Sequence, residues 1–289
     1  MKEKLKQLHR EGKLVGIFDL TQEEYRAAPG ISRSSLMNMS ETAAHFKYAE
    51  ENPKESTPAM VEGSALHALV LEPETYEGLF QTMPESIKKK GTKKYDAWIE
   101  EEELEKCTII SQKQWEMIDG MNQSVGKNKR AKMFLSGYHE KCFFWKDPIT
   151  GILLKCKPDS IHLKAGVISD LKSTDSASPE EFIKKCYNLG YHIQDAFYTD
   201  GVIEAIKQGG KCGLEFKEPD KFMFVAVEKK PPYLIAFYDL PEVFVDEGRR
   251  IYRKLIDKYA DAVRHNKWEG YSDKVITLES KSWMYSKEN

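Results

Sequence analysis

Apolar positions change their period along this chain. Up to about residue 135 they recur mostly at helical intervals, and from Tyr138 onward they gather into short alternating or continuous runs. Pro29-Gly30 marks a turn into Ser32-Arg33-Ser34-Ser35-Leu36, where a serine ahead of an apolar residue signals a helix start, and Ser40 is placed to cap a second short helix through Phe46. Glu51 to Pro58 is polar, carries two prolines and reads as a loop. Ala59 to Leu71 then reads as a helix on which Gly63 and His67, four positions apart, share one face, the small residue leaving room around the imidazole. Residues 84–106 predict a charged surface helix with a lysine-rich entry, and Cys107 to Ile110 is β-like. Ser111 and Gln114 have the spacing of a capping box ahead of Trp115, Ile118, Met121 and Val125, a helix ending near Gly126 or reaching Phe134 after a break.

The sheet signals follow. Tyr138–Lys146 and Gly151–Lys157 flank the turn-like Asp147-Pro148-Ile149-Thr150 and predict an antiparallel hairpin, and Val167–Lys172 supplies a buried strand. Ser178-Pro179-Glu180-Glu181 predicts a helix start, with serine as N-cap and glutamate at the capping-box position. Gly190 interrupts that pattern, and Tyr191 to Lys207 forms a second helix with Gln194 and Tyr198 on one face. A further hairpin spans Phe222–Val227 and Tyr233–Tyr238, and Pro241 to Trp268 is a long amphipathic helix. The expected organisation is one domain over residues 1–289: a mostly helical part to 135, a sheet-containing core over 136–270, and a tail over 271–289.

Within this pattern one stretch concentrates chemistry. Asp159 follows Pro158, and Asp170-Leu171-Lys172 closes the apolar run that begins at Val167. Side chains alternate across a strand, so Asp170 and Lys172 project to one side while Leu171 points into the opposite layer. An acid and a base therefore share a face. Phosphodiester hydrolysis requires an activated water, charge stabilisation at phosphorus and help for the leaving oxygen, and hard divalent cations held by carboxylates supply most of this. Two aspartates converging from neighbouring strands would make such a ligand set.

Composition adds limits. The formal net charge is -2 and the sequence pI about 6.4, which does not by itself advertise nucleic-acid binding. The basic residues are nonetheless clustered: Lys88-Lys89-Lys90 with Lys93-Lys94, and Lys127, Lys129, Arg130 with Lys132, are local groups able to meet phosphates. Cys107, Cys142, Cys156, Cys186 and Cys212 are scattered without paired spacing, which argues for reduced core residues over a disulfide framework or a zinc site. No window offers about 18 consecutive apolar residues, and the opening MKEKLKQLHR lacks an apolar segment, so neither membrane insertion nor secretion is expected.

Pro158-Asp159 and Asp170-Leu171-Lys172, with Gly63-Ser64-Ala65-Leu66-His67 upstream and Gln194 to Tyr198 downstream, stand in an order that resembles the PD-(D/E)xK nuclease superfamily. Within it they resemble the RecE-type exonucleases related to the nuclease modules of RecB and AddB and, more distantly, to lambda exonuclease. ISRSSL and GSALHALVLEPETYE also look like the N-terminal part of RecE-type domains, so the likeness covers about residues 18–270. It implies an α/β fold with a restriction-endonuclease-like core, a central mixed β-sheet flanked by helices, after a helical N-terminal portion. It further implies a 5′-to-3′ exonuclease on double-stranded DNA ends that leaves 3′ tails for a RecT-type annealing protein. Mg²⁺ would be the cofactor, with Mn²⁺ an alternative and two ions per site. Carried over by position, His67, Asp159, Asp170 and the Leu171 carbonyl become metal ligands and Lys172 becomes catalytic, together with the two aspartates. Gln194 would support the site, and Tyr198 would pack near it or touch DNA. Arg33 is a candidate for a 5′-terminal phosphate, since a guanidinium fork matches phosphate oxygens, and Glu140 is a candidate additional acid on the strand before Asp159. A homo-oligomeric ring, a bacterial or phage-encoded origin and a cytoplasmic location complete the expectation.

Each residue alone has a plainer reading: Asp159 as a turn residue, Asp170 with Lys172 as an exposed ion pair, His67 as an ordinary helix histidine. The ordered set is what carries the inference. Two other functions fit the same residues, a PD-(D/E)xK endonuclease of the junction or restriction type, and a catalytically silent DNA-binding protein of this fold. The intact Asp159, Asp170 and Lys172 set speaks against the silent version. Lys155, Lys157 and His162 are bystanders in this reading, and His139 and His192 are structural.

Overall fold

The computed structural model of the protein describes residues 2–209 and 217–280. The first half runs α1 (Lys2–Arg10), β1 (Gly16–Phe18), α2 (Gln22–Ala27), β2 (Ile31–Ser32), α3 (Arg33–Met37), a 3₁₀ turn, α4 (Ala43–Glu51), α5 (Pro58–Leu71), α6 (Pro73–Leu79), β3 (Phe80–Thr82), α7 (Lys93–Glu101), β4 (Thr108–Ile110), α8 (Gln112–Lys127) and α9 (Lys129–Phe134). The second half runs β5 (Tyr138–His139), β6 (Cys142–Lys146), β7 (Leu153–Cys156), β8 (Ser160–His162), β9 (Val167–Thr174), α10 (Pro179–Asn188), α11 (Tyr191–Gly209), β10 (Lys221–Glu228), β11 (Ile235–Tyr238) and α12 (Glu242–His265). Cys212 and the end of the expected tail, residues 281–289, lie outside the described residues. Among the described residues no helix is long and apolar enough to cross a membrane.

Two sheets organise the molecule. One has the order β11-β10-β9-β8-β5, with β10 parallel to β9 and the other pairs antiparallel; the second has the order β1-β6-β7-β2. Their central strands are buried on both faces, and alternation sorts the side chains into layers. On β10, Phe224 and Ala226 pack with Phe197 of α11 and Ile256 of α12, whereas Val225 and Val227 pack with Leu66 of α5 and Ile118 of α8. On β9, Ile168 belongs to the first layer and Leu171 to the second. A one-residue slip of β9 would push Asp170 into the apolar layer and pull out Leu171, whose burial contributes ~2 kcal/mol, so the register of the site is set by the core beneath it.

The sheet signals of the sequence match the pairing of β6 with β7 and of β10 with β11. The expected continuous strand Tyr138–Lys146 is instead broken: Tyr138–His139 pairs with β8 in one sheet, Cys142–Lys146 pairs with β7 in the other, and Glu140 sits at the break with φ of 52°. Two caps also differ. Thr42, not Ser40, caps α4, its side chain accepting from His45 N. Ser178 occupies the N-cap of α10 without a side-chain bond to the helix, because its hydroxyl is engaged by Ser176. The capping box at Ser111 and Gln114 is present, and the break before α9 falls at Asn128. Cys142, Cys156 and Cys186 are buried thiols and Cys107 is half-buried; none is in a disulfide.

Candidate metal and active site

The strand order brings β8 against β9, which sets Asp159, just ahead of β8, beside the middle of β9. Asp159 Oδ2 accepts from Leu171 N at 2.7 Å. From the other side of the sheet, α5 presents His67, whose Nε2 lies 2.7 Å from the Leu171 carbonyl and whose Nδ1 lies 3.4 Å from Asp159 Oδ1. Leu171 thus contributes its backbone to the site and its side chain to the core. Helix α5 starts where Thr57 caps it and Pro58 occupies the first turn, and Ala65 and Leu66 fix its inner face, so His67 is rigidly aimed.

Glu140 completes this group. Its ligand atom and those of His67 and Asp159 lie within 4.8 Å of one another. The left-handed backbone of Glu140 and its N–H, which donates to the Asp159 carbonyl at 3.2 Å, turn the chain at the strand break so that the carboxylate enters the site. Such a conformation is costly for a residue with a Cβ and clusters at functional positions. The Glu140 carboxylate is paired with Lys157, both side chains largely buried.

Across the β8–β9 pairing from Asp159, Asp170 and Lys172 stand together with Lys172 Nζ 2.5 Å from Asp170 Oδ2. Gln194 of α11 donates to Asp170 Oδ1 at 2.5 Å, and the ring of Tyr191 lies 4.8 Å from the Lys172 ammonium. The Lys172 contact is an ion pair without hydrogen-bond alignment, so Asp170 Oδ2 keeps unused acceptor capacity although Asp170 is only 1% exposed.

A cleft of about 590 Å³ opens onto this group; His67, Glu140, Asp159, Lys157, Arg33 and Tyr198 are in its wall. Asp170 and Lys172 are not among its lining residues but interact with Asp159, which is. Arg33, at the start of α3, donates from Nη2 to the carbonyls of Leu189 and Gly190, while its buried Nε has no partner. His139 and His162 donate to the Leu135 and Phe134 carbonyls, outside the acidic group, and His192 is stacked against Phe244.

The sequence signature of a PDDEXK-like domain of unknown function (DUF3799) matches residues 32–281. The chain belongs to this PDDEXK-like family. Among solved structures, one described as "Putative exonuclease" from Eubacterium rectale is similar with a TM-score of 0.59 and 15% identity, over 93% of this chain and 99% of that one. The family match and this likeness in fold together establish a PD-(D/E)xK core. No curated protein matches the sequence.

Electrostatically, this PDDEXK-like site is a crowd of buried acids relieved by three nitrogen cations. Burial would depress the His67 imidazole, but Asp159, with Glu140 and Asp170 beyond it, pushes it up to about 9. Burial and the neighbouring Asp159 raise the Asp170 carboxyl to about 6, against the pull of Lys172. Glu140 is raised by burial and by Asp159, partly offset by Lys157. For Asp159, burial is outweighed by His67, Lys172 and the Leu171 N–H, so its carboxyl is lowered. Lys172 is desolvated, yet Asp170 and Asp159 raise it, so its ammonium form is favoured in this arrangement. The donor set fits a hard divalent cation: carboxylate oxygens, a backbone carbonyl and an imidazole converge, and their negative charge is only partly compensated.

The sequence alone leaves Lys157 and Lys155 unassigned. Alternation along β7 was the available signal, because Lys155 and Lys157 must share a face with Cys156 turned into the core. Lys155 is buried and donates to the Tyr25 and Ala28 carbonyls at 2.7 and 2.6 Å, closing the end of α2; Lys157 partners Glu140.

Proposed function

We propose that the chain is a divalent-cation-dependent exodeoxyribonuclease that degrades the 5′-ended strand of linear duplex DNA and leaves 3′ single-stranded tails for strand annealing. The observation that carries this reading is the convergence of His67, Glu140 and Asp159 donor atoms within 4.8 Å, backed by the Asp170–Lys172 pair. The likeness to RecE-type nucleases and the name of the Eubacterium rectale protein support DNA-end hydrolysis over other phosphodiester chemistry.

His67, Glu140, Asp159 and the Leu171 carbonyl would hold the cation, together with Asp170 beside Asp159. A bound Mg²⁺ or Mn²⁺ supplies Lewis acidity at a phosphoryl oxygen and lowers the pKa of water. The chain's own residues do the rest. Lys172 stabilises charge developing in the transition state, and Gln194 with Lys172 fixes the Asp170 carboxylate in one orientation. Lys157 holds Glu140 in the wall, and Tyr198 borders the path of the strand. Arg33 faces the same cleft with part of its guanidinium committed to the α10–α11 junction, and the remainder grips a 5′-terminal phosphate. Assembly as a ring and delivery of the tail to a RecT-type annealing protein belong to the same proposal.

Purified protein is incubated with Mg²⁺, Mn²⁺ or chelator and with linear duplexes bearing or lacking a 5′ phosphate, alongside closed circular DNA. Cation-dependent loss of the 5′-labelled strand from the linear duplex alone is expected. Cleavage of the circle would replace the reading with an endonuclease, and no cleavage of either would remove the enzyme. Calorimetric stoichiometry reads whether one or two ions bind, and light scattering reads the oligomer.

A further inference from the structure

The ribbon β3–α7–β4 interrupts the helical first half and lines the cleft with Phe80, Lys106 and Thr108. Between β3 and α7 it carries Lys88, Lys89 and Lys90, and the first turn of α7 adds Lys93 and Lys94, all exposed. The loop is tied down despite its composition. Ile87 is 4% exposed, Lys94 Nζ donates to the Ser86 carbonyl, and Lys90 Nζ donates to the Ile109 carbonyl at 2.6 Å, one residue from the cleft-lining Thr108. Among the described residues, the side chains of Lys88, Lys89 and Lys93 make neither a hydrogen bond nor an ion pair.

Charge in this ribbon is segregated. Glu100, Glu101, Glu102, Glu103 and Glu105 sit at its other end and form no ion pair with the lysines. Elsewhere on the surface, Lys6, Lys47, Lys184 and Lys207 pair with acids three residues away. Asp96 stands three residues from Lys93 and is not so used. A fixed loop that presents unpaired positive charge beside a cleft built for phosphodiesters matches a polyanion of high linear charge, and duplex DNA carries about one charge per 1.7 Å of axis.

We propose that the Lys88–Lys94 loop is a phosphate-backbone grip for the duplex whose end enters the cleft, with Lys88, Lys89 and Lys93 making the contacts. This rests on the nuclease reading for the cleft but is measured apart from hydrolysis. Contacts of this kind carry no sequence information and act through counterion release, so they appear in the salt dependence of binding.

The test compares K88Q/K89Q/K93Q with K127Q/K129Q/K132Q, which removes equal charge from the exposed cluster on α8 and α9, away from the ribbon. Binding of each full-length protein to a blunt labelled duplex is measured by fluorescence anisotropy across a salt series, with Ca²⁺ replacing Mg²⁺. The ribbon variant is expected to lose roughly tenfold or more in affinity at low salt, with the slope of log affinity against log salt shallower by about two to three. The α8–α9 variant should keep the wild-type slope. Unchanged binding by the ribbon variant, equal losses in both variants, or no duplex binding by the wild type would each overturn the grip; circular dichroism melts exclude misfolding as the cause of a loss. Duplex binding without any cleavage in Mg²⁺ or Mn²⁺ would overturn the nuclease reading and leave the grip standing.

Discussion

Gln194 Nε2 lies 2.5 Å from Asp170 Oδ1, joining the first turn of α11 to the middle of β9 across 24 residues. The amide supplies a neutral donor to one oxygen of the carboxylate while Lys172 supplies charge to the other. Gln194→Leu keeps most of the volume but leaves a buried acceptor without a donor, at about 1–3 kcal/mol. A lowered melting temperature and reduced turnover are expected. Lys172→Ala should cut hydrolysis of linear duplex by about 100- to 1000-fold, the usual loss for a group that stabilises transition-state charge, while leaving the circular dichroism spectrum native. Wild-type turnover in Lys172→Ala would remove Lys172 from the chemistry.

Glu140 combines a left-handed backbone with a buried partner, and two substitutions separate those properties. Glu140→Ala and Glu140→Gly both remove the carboxylate and leave Lys157 without its charge partner in a largely buried position, with Gln22 Oε1 as its remaining acceptor. Only glycine relieves φ of 52°. Both variants should bind Mn²⁺ at least about tenfold more weakly by calorimetry, in line with losses at metal sites. The glycine variant should nevertheless be about 1 kcal/mol more stable than the alanine variant to urea. Equal stability would mean that the backbone at Glu140 carries no strain.

These two residues mark how far the sequence could be read. Asp159, Asp170, Lys172 and Gln194 were legible as candidates because strand alternation and helix spacing are local rules that place each side chain on a face. Their meeting was supported by a family pattern, and the geometry now brings them within reach of one another. Glu140 was only half legible. Its position depends on a strand that changes sheets, with His139 pairing Ser160 and Cys142 pairing Phe18, and no local propensity in YHEKC announces that break. Short strands such as β1, β2 and β8 were invisible for a related reason: they exist because a neighbouring strand offers hydrogen bonds, not because two or three residues favour extension.

Gly190 has φ of 66°, and a Cβ there would lie 2.5 Å from Arg33 Nη2. The glycine therefore serves the turn between α10 and α11 and also leaves space for the guanidinium against the Leu189 and Gly190 carbonyls. Gly190→Ala should cost about 1–2 kcal/mol from the backbone alone and displace Arg33, whose side chain is the more movable partner. If Arg33 grips a terminal phosphate, Gly190→Ala and Arg33→Lys will both slow degradation of 5′-phosphorylated duplex and reduce its advantage over a 5′-hydroxyl end. An unchanged phosphate preference in both variants would leave Arg33 a purely structural anchor.

Asp195, next to Gln194 but turned toward α12, gives a pH signature independent of the metal ligands. Burial pushes its carboxyl up to about 7; Thr199 and Arg249 oppose this, and Asp200 and Asp239 reinforce it. Its closest donor, Thr199 Oγ1, is 3.4 Å away, and Arg249 is already engaged by Asp200. The folded protein therefore keeps a proton that the unfolded chain releases near its ordinary value of about 4, so the native state binds more protons between about pH 4 and pH 7. Stability from this group is full at the acid end and falls as pH rises through that window, by at most about 4 kcal/mol. Asp195→Asn mimics the protonated form, still accepts from Thr199, and cannot ionise. The variant should melt with the wild type near pH 4 and progressively above it toward pH 8. Taking the difference between the two proteins at each pH cancels the titration of all other groups. Parallel melting curves for wild type and Asp195→Asn across the window would show that the Asp195 carboxylate ionises in the folded protein much as it does in water.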